Sequence, residues 1–122
     1  MNKFVGKHVV IAALSALAGF AASAQAADVV GNAKAGQGKV AMCIGCHGIP
    51  DYRTAYPEVY RVPMLGGQNQ QYIINALHEY QKGDRHFLTM HAVATSLSDQ
   101  DIADIAAYYA AQTSSSKNNP DK

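Results

Sequence analysis

Two cysteines stand three residues apart in this 122-residue chain, and a histidine follows the second: Cys43-Ile44-Gly45-Cys46-His47. No other feature constrains the fold as much, because this is the Cys-x-x-Cys-His pattern of covalent haem attachment. Each thiol adds across one haem vinyl group, and the next imidazole is then placed under the iron. The motif assigns Cys43 and Cys46 as the attachment points of one haem c, and His47 as the proximal iron ligand. Gly45 removes a side chain where the backbone would pass the ring. Other uses of such a pair fit less well. A thioredoxin-like dithiol needs a βαβ setting that the chain lacks. A zinc site needs a second ligand pair, and a plain disulfide leaves His47 unexplained.

The N-terminus bears on compartment. Lys3 and Lys7 precede an apolar stretch over 9–22, and Ala24-Gln25-Ala26 follows. A basic start, a short apolar run and an Ala-x-Ala end are the parts of a secretory signal. The expected organisation is a signal over 1–26, a haem domain over 27–112 and a polar tail over 113–122. The mature chain would begin at Ala27 or Asp28, in the periplasm. The competing reading is an uncleaved anchor, but the run falls short of the roughly 18–20 residues a spanning helix needs. From Asp28 onward Lys plus Arg is 8 and Asp plus Glu is 9, a formal charge of −1. That balance offers no basic footprint for nucleic acid and no polybasic membrane surface. A domain this small commonly needs a staple such as a cofactor.

Three segments carry helical spacing. The first covers 32–42 with Asn32 as cap, although Gly36 and Gly38 weaken it. The second covers 69–82, with Tyr72, Ile73, Ala76, Leu77 and Tyr80 on one face and Gly83 as stop. The third opens at Ser98, has Asp99 and Asp101 in its first turn, and buries Ile102, Ile105, Ala106 and Tyr109. The intervening stretches, 48–67 and 83–97, read as irregular and free of strands. Loops this long inside a small domain usually wrap something functional.

A sixth iron ligand can come from a methionine or a second histidine. Met64, Met90, His78, His86 and His91 are the candidates; Met42 abuts the attachment motif and cannot reach the opposite face. Tyr52, Arg53, Tyr56, Tyr60 and Arg61 crowd the segment 51–62. They suit either haem propionates, which need donors, or a loop surface.

Several motifs together resemble a family. Cys-x-x-Cys-His-Gly follows a short helix, then come Pro63-Met64-Leu65-Gly66-Gly67-Gln68 and Tyr72, and Leu97-Ser98-Asp99-Gln100-Asp101-Ile102 leads into Ala106-Ala107-Tyr108-Tyr109. The chain is similar to the small class I monohaem c-type cytochromes of the bacterial periplasm, related to the halves of dihaem cytochromes c. The resemblance implies an all-α fold whose helices wrap one covalently bound haem, with the first and last helices crossing. Gly36 and Val40 would then meet the Ile105/Tyr109 face. It also implies a ligand methionine seven residues before the Leu that precedes the Ser cap, and Met90 and Leu97 match that spacing. Pro63 resembles the proline whose carbonyl accepts the second ring N–H of the proximal histidine; otherwise it is a turn proline.

The function so implied is one-electron transfer between a redox protein donor and acceptor, with His/Met ligation and no catalytic residues. Alternatives are a haem subunit of a dehydrogenase or oxidase, and a ligand-binding haem with a labile sixth position. A monomer, not held in the membrane after signal cleavage, is expected.

Overall fold

The computed structural model describes residues 29–56, 59–113 and 116. Along them run α1 (Ala33–Gln37), α2 (Ala41–His47), β1 (Arg53–Thr54), β2 (Tyr60–Arg61), α3 (Gln70–Lys82), α4 (Leu88–Thr95) and α5 (Asp99–Ala110). The proposed signal over 1–26 and nearly all of the 113–122 tail lie outside the described residues.

The expected helix over 32–42 is two helices. Asn32 caps α1 by accepting from the amides of Lys34 and Ala35, and the chain breaks at Gly38 before restarting at Ala41. The break has a packing cause. It drops Val40 into the core at 1% exposure and turns Lys39 toward α5. At Gly36 the two helices touch backbone to backbone: a Cβ there would sit 2.1 Å from the Asp104 carbonyl oxygen. Gly36 thus meets Asp104 and Tyr108, while Val40 joins Ile105 and Tyr109 in one core cluster.

The same crossing holds a buried carboxylate, Asp104, 3% exposed. A buried charge is tolerated only when paired and hydrogen-bonded. Lys39 Nζ lies 2.7 Å from its Oδ2, while the Asn32 amide at 2.7 Å and Gln100 Nε2 at 2.9 Å donate to Oδ1. Lys39 also pairs with Asp101 at 2.8 Å. Lys39 and the acidic start of α5 are therefore partners of each other.

Helices α3 and α5 form as their sequences suggest. Asn69 caps α3 through the Tyr72 amide, and Gly83 ends it at φ +84°, a left-handed turn that favours glycine. A reciprocal capping box between Ser98 and Asp101 opens α5. Burial of Ile73 and Leu77 from α3 against Ile102, Ile105 and Ala106 of α5 closes the core. Each fully buried aliphatic side chain here contributes roughly 1.5–3 kcal/mol.

Two stretches expected to be irregular are ordered. Residues Leu88–Thr95 form α4, whose N-cap Phe87 makes no side-chain cap bond. Lacking a cap signal, α4 is held from outside: Gln81 Nε2 donates to both Ala94 O and Leu97 O at 2.9 Å. In the 48–67 stretch a two-stranded antiparallel sheet pairs Arg53 with Arg61 and Thr54 with Tyr60. Strands of two residues show no period-2 pattern that a sequence reading could detect. The all-α expectation is met apart from this sheet. Two arginines face each other across it, a repulsive pair, and the Arg61–Asp51 ion pair offsets part of that.

Candidate haem site

Helix α2 places Cys43, Cys46 and His47 at positions i, i+3 and i+4, which share one helix face. All three are half-buried and line a single cavity of about 330 Å³. The opposite elements supply its apolar walls, among them Val62, Leu65, Ile73, Leu77, Val93 and Ile105.

His47 is locally oriented. Its Nδ1 lies 2.7 Å from the Pro63 carbonyl oxygen. A carbonyl only accepts, so Nδ1 carries the proton and Nε2 keeps its lone pair. Burial lowers the imidazole's pKa against the opposing pull of that hydrogen bond, which favours the neutral ring that can bind a metal. The two cysteines are not joined in a disulfide, and burial raises the pKa of the Cys43 thiol before attachment. The hydroxyl of Tyr109, itself buried, lies beside the Cys43 sulfur and interacts with it. Burial, foremost, pushes its pKa well above the tyrosine range.

Met90, half-buried on α4, lines the same cavity as His47. The remaining candidates are placed elsewhere. Met64 is 38% exposed and is not on the cavity wall. Nor are the three histidines: His78 Nδ1 is engaged with Gln81 Oε1 at 2.9 Å, His91 Nδ1 donates to Tyr80 O at 2.6 Å, and His86 is exposed. Met42 touches the cavity from α2 itself, next to the thiols. A Cβ on Gly45 would meet no protein atom within 4 Å, so protein packing gives no reason for a glycine there.

Of the Tyr/Arg-rich segment, Tyr60 reaches the cavity, together with Thr54. Tyr60 also stacks at a tilt on Phe87, ring centroids 5.3 Å apart, joining the sheet to the start of α4. Arg53, Arg61, Tyr52 and Tyr56 are not on the wall. Arg85 is, and sequence reading missed it. Its position just past the Gly83 stop was the available signal.

The donor set fits a covalently attached haem. Two cysteine thiols sit on one edge, a neutral imidazole with an available lone pair lies beside them, and a thioether lines the same apolar space. Among the described residues no helix is long and apolar enough to cross a membrane.

Known proteins agree with this chemistry. The family model described as Cytochrome c matches residues 33–111. Cytochrome c4 of Pseudomonas aeruginosa is 44% identical over 86 residues, 70% of this chain and 41% of that protein. Cytochrome c-554(548) of Halomonas halodenitrificans is 40% identical over 85 residues, 67% of this chain and 98% of that one. The crystal structure of reduced recombinant cytochrome c4 from Pseudomonas stutzeri matches with a TM-score of 0.56 at 39% identity, covering 69% of this chain and 47% of the other. The chain thus spans less than half the length of the c4 proteins and nearly all of c-554(548). From the motif, the cavity and these likenesses together, the chain belongs to the cytochrome c family and carries one haem c bound through Cys43 and Cys46.

Proposed function

We propose that this cytochrome is a periplasmic one-electron carrier whose haem iron is ligated by His47 and Met90. One observation carries the reading: of the candidate sixth ligands, Met90 alone shares a cavity wall with His47. When bound, the haem supplies a reversible one-electron couple. The protein supplies position and surroundings. The Pro63 carbonyl holds the His47 ring and raises its basicity as a ligand. A methionine opposite a histidine raises the reduction potential relative to two histidines. The apolar wall excludes water and so disfavours the more highly charged oxidised state. Pro63 is thereby more than a turn residue.

The electron donor and acceptor are redox proteins. Export follows from the segment 1–26, with the mature chain starting at Ala27 or Asp28, a haem domain over 27–112 and a tail of polar composition over 113–122. Support for export comes from the basic start, apolar run and Ala24-Gln25-Ala26.

The test is Met90→Ala in purified, haem-loaded protein. It should lose the sulfur-to-ferric-iron absorption band, lower the midpoint potential and admit carbon monoxide to the reduced form, while Met64→Ala leaves all three intact. Loss of the band in Met64→Ala instead would transfer the role, and no effect from either would favour a histidine. The mass of the same preparation reads the N-terminus, and an intact Met1 end would sink the export reading.

A further inference from the structure

The cavity wall is mostly apolar; beyond the attachment motif its polar side chains are Thr54 and Tyr60 of the sheet, Tyr72 and Tyr80 of α3, Thr89 of α4, and Arg85, which contacts Tyr72. Arg85 is the one lysine or arginine on the wall among the described residues. Its guanidinium is braced on several sides. Nε donates to Glu79 Oε2 at 2.5 Å, and the charged group lies over the rings of Tyr72 and Tyr80, 5.4 and 5.8 Å from their centroids. Both Nη atoms, by contrast, reach only the Tyr72 hydroxyl, at 3.4 Å. Two nitrogens of a braced cation on the cavity wall therefore share a single long contact among the described residues.

A haem brings two carboxylates on one edge. Enclosing a carboxylate without a donor is costly, and an arginine fork matches its two oxygens. The arginines that the sequence points to are placed elsewhere: Arg61 pairs with Asp51, and neither Arg61 nor Arg53 is on the wall. We propose that Arg85, with the Tyr72 hydroxyl beside it, receives a haem propionate, and that Glu79 serves to hold the guanidinium in place. The assignment rests on the haem reading of the site. An ion pair that merely closes the turn after α3 would need only Nε and Glu79. It would not require Arg85 on the cavity wall, with its Nη atoms turned to Tyr72, another residue of that wall.

The test uses the haem-loaded protein and follows midpoint potential against pH. A cation beside a propionate keeps it ionised, so the wild-type potential should be nearly flat from about pH 5 to pH 8. In Arg85→Gln the propionate's pKa should rise by at least about one unit, a tenfold gain in proton affinity. The potential then acquires a pH-dependent slope. Glu79→Gln, which leaves the cation in place, and Arg53→Gln should both stay flat. The other ionisable groups facing Arg85 are Glu79, Tyr72 and Tyr80, and the exposed His86 adjoins it in sequence. Arg85→Gln also takes the cation from Glu79, so the double variant Arg85→Gln with Glu79→Gln is the control. It should keep the slope, and loss of the slope there would trace it to Glu79 and overturn the proposal. If Arg85→Gln stays as flat as wild type, or the slope arises in Arg53→Gln instead, the proposal is overturned. Should Arg85→Gln fail to load haem, carboxyl-labelled propionates in wild type decide: both titrating above about pH 5 would overturn it, and one remaining ionised would uphold it. Acidified-solvent extraction tests the haem reading separately, since covalent haem stays on the protein whichever way the propionate result falls.

Discussion

The two sides of the molecule are built on different terms. At the α1/α5 crossing the protein satisfies itself: Gly36 admits a neighbouring backbone, Val40, Ile102 and Tyr109 are sealed, and Asp104 has a partner for each oxygen. Around the cavity the walls face one another across the volume that takes the haem. Helix α4 leans on a glutamine bridge, and the short sheet joins it through one ring contact, Tyr60 to Phe87. One side is finished by side chains, and the other is completed by a cofactor. The contrast explains how a domain with so small a core can be stable: the haem supplies the apolar partner against which the cavity lining packs.

The largest effect should come from breaking the finished side. Gly36→Ala drives a methyl into the Asp104 carbonyl, where neither backbone can yield cheaply, so the loss should be about 3 kcal/mol or more. Chemical denaturation of the haem-loaded protein measures it, and a near-neutral result would mean that the helices can slide apart without cost.

A smaller, regional effect should follow from removing the cofactor. In the haemless double variant Cys43→Ala with Cys46→Ala, amides of α4 and of the sheet should lose hydrogen-exchange protection first. Those of α1 and α5 should keep the most, because local stability follows local packing. Uniform exchange over all elements would erase the distinction between the two sides.

The smallest effect is on pH dependence, and it sharpens the comparison on the finished side alone. Hydrogen bonding to Lys39 holds both Asp101 and Asp104 below the usual carboxylate range. A depressed folded pKa means stabilisation that is full above the unfolded value of about 4 and lost as pH falls through the folded one. For Lys39, raised chiefly by Asp101, the sign reverses: its contribution is full at neutral pH and fades only in strong alkali. Asp104→Asn should therefore flatten the acid limb of thermal stability below about pH 4. An acid limb identical to wild type would place acid sensitivity in the haem ligation instead.

How much of this was legible in the chain depends on how local the signal is. Cys43, Cys46 and His47 lie within one turn and a half of helix, so their shared face follows from spacing alone. The Ser98–Asp101 box and the Asn69 and Gly83 ends of α3 are likewise set by neighbours in sequence. The break at Gly38 was half visible, since the glycines announced weakness without saying where the chain would turn. Helix α4 was not visible, because it is held by packing on α3: Ala94 is buried in the core, Gln81 holds its carbonyl and His91 bonds to Tyr80 O.

By itself, then, the sequence determined the attachment motif, the identity of the cofactor and the capped helices, while the crossing of the first helix with the last was implied only by the family resemblance. Only the tertiary structure decided which cation faces the cavity, which methionine shares a wall with His47, and that a charged aspartate is buried under α1. The physical reason is range. Caps, helix faces and thiol spacing are fixed by backbone geometry over three or four residues. The Lys39–Asp104 pair, by contrast, joins segments 65 residues apart, and Arg85 reaches the cavity wall only because α2, the sheet and α4 close around it. Their partners are chosen by the free energy of burying a charge, which no local pattern records.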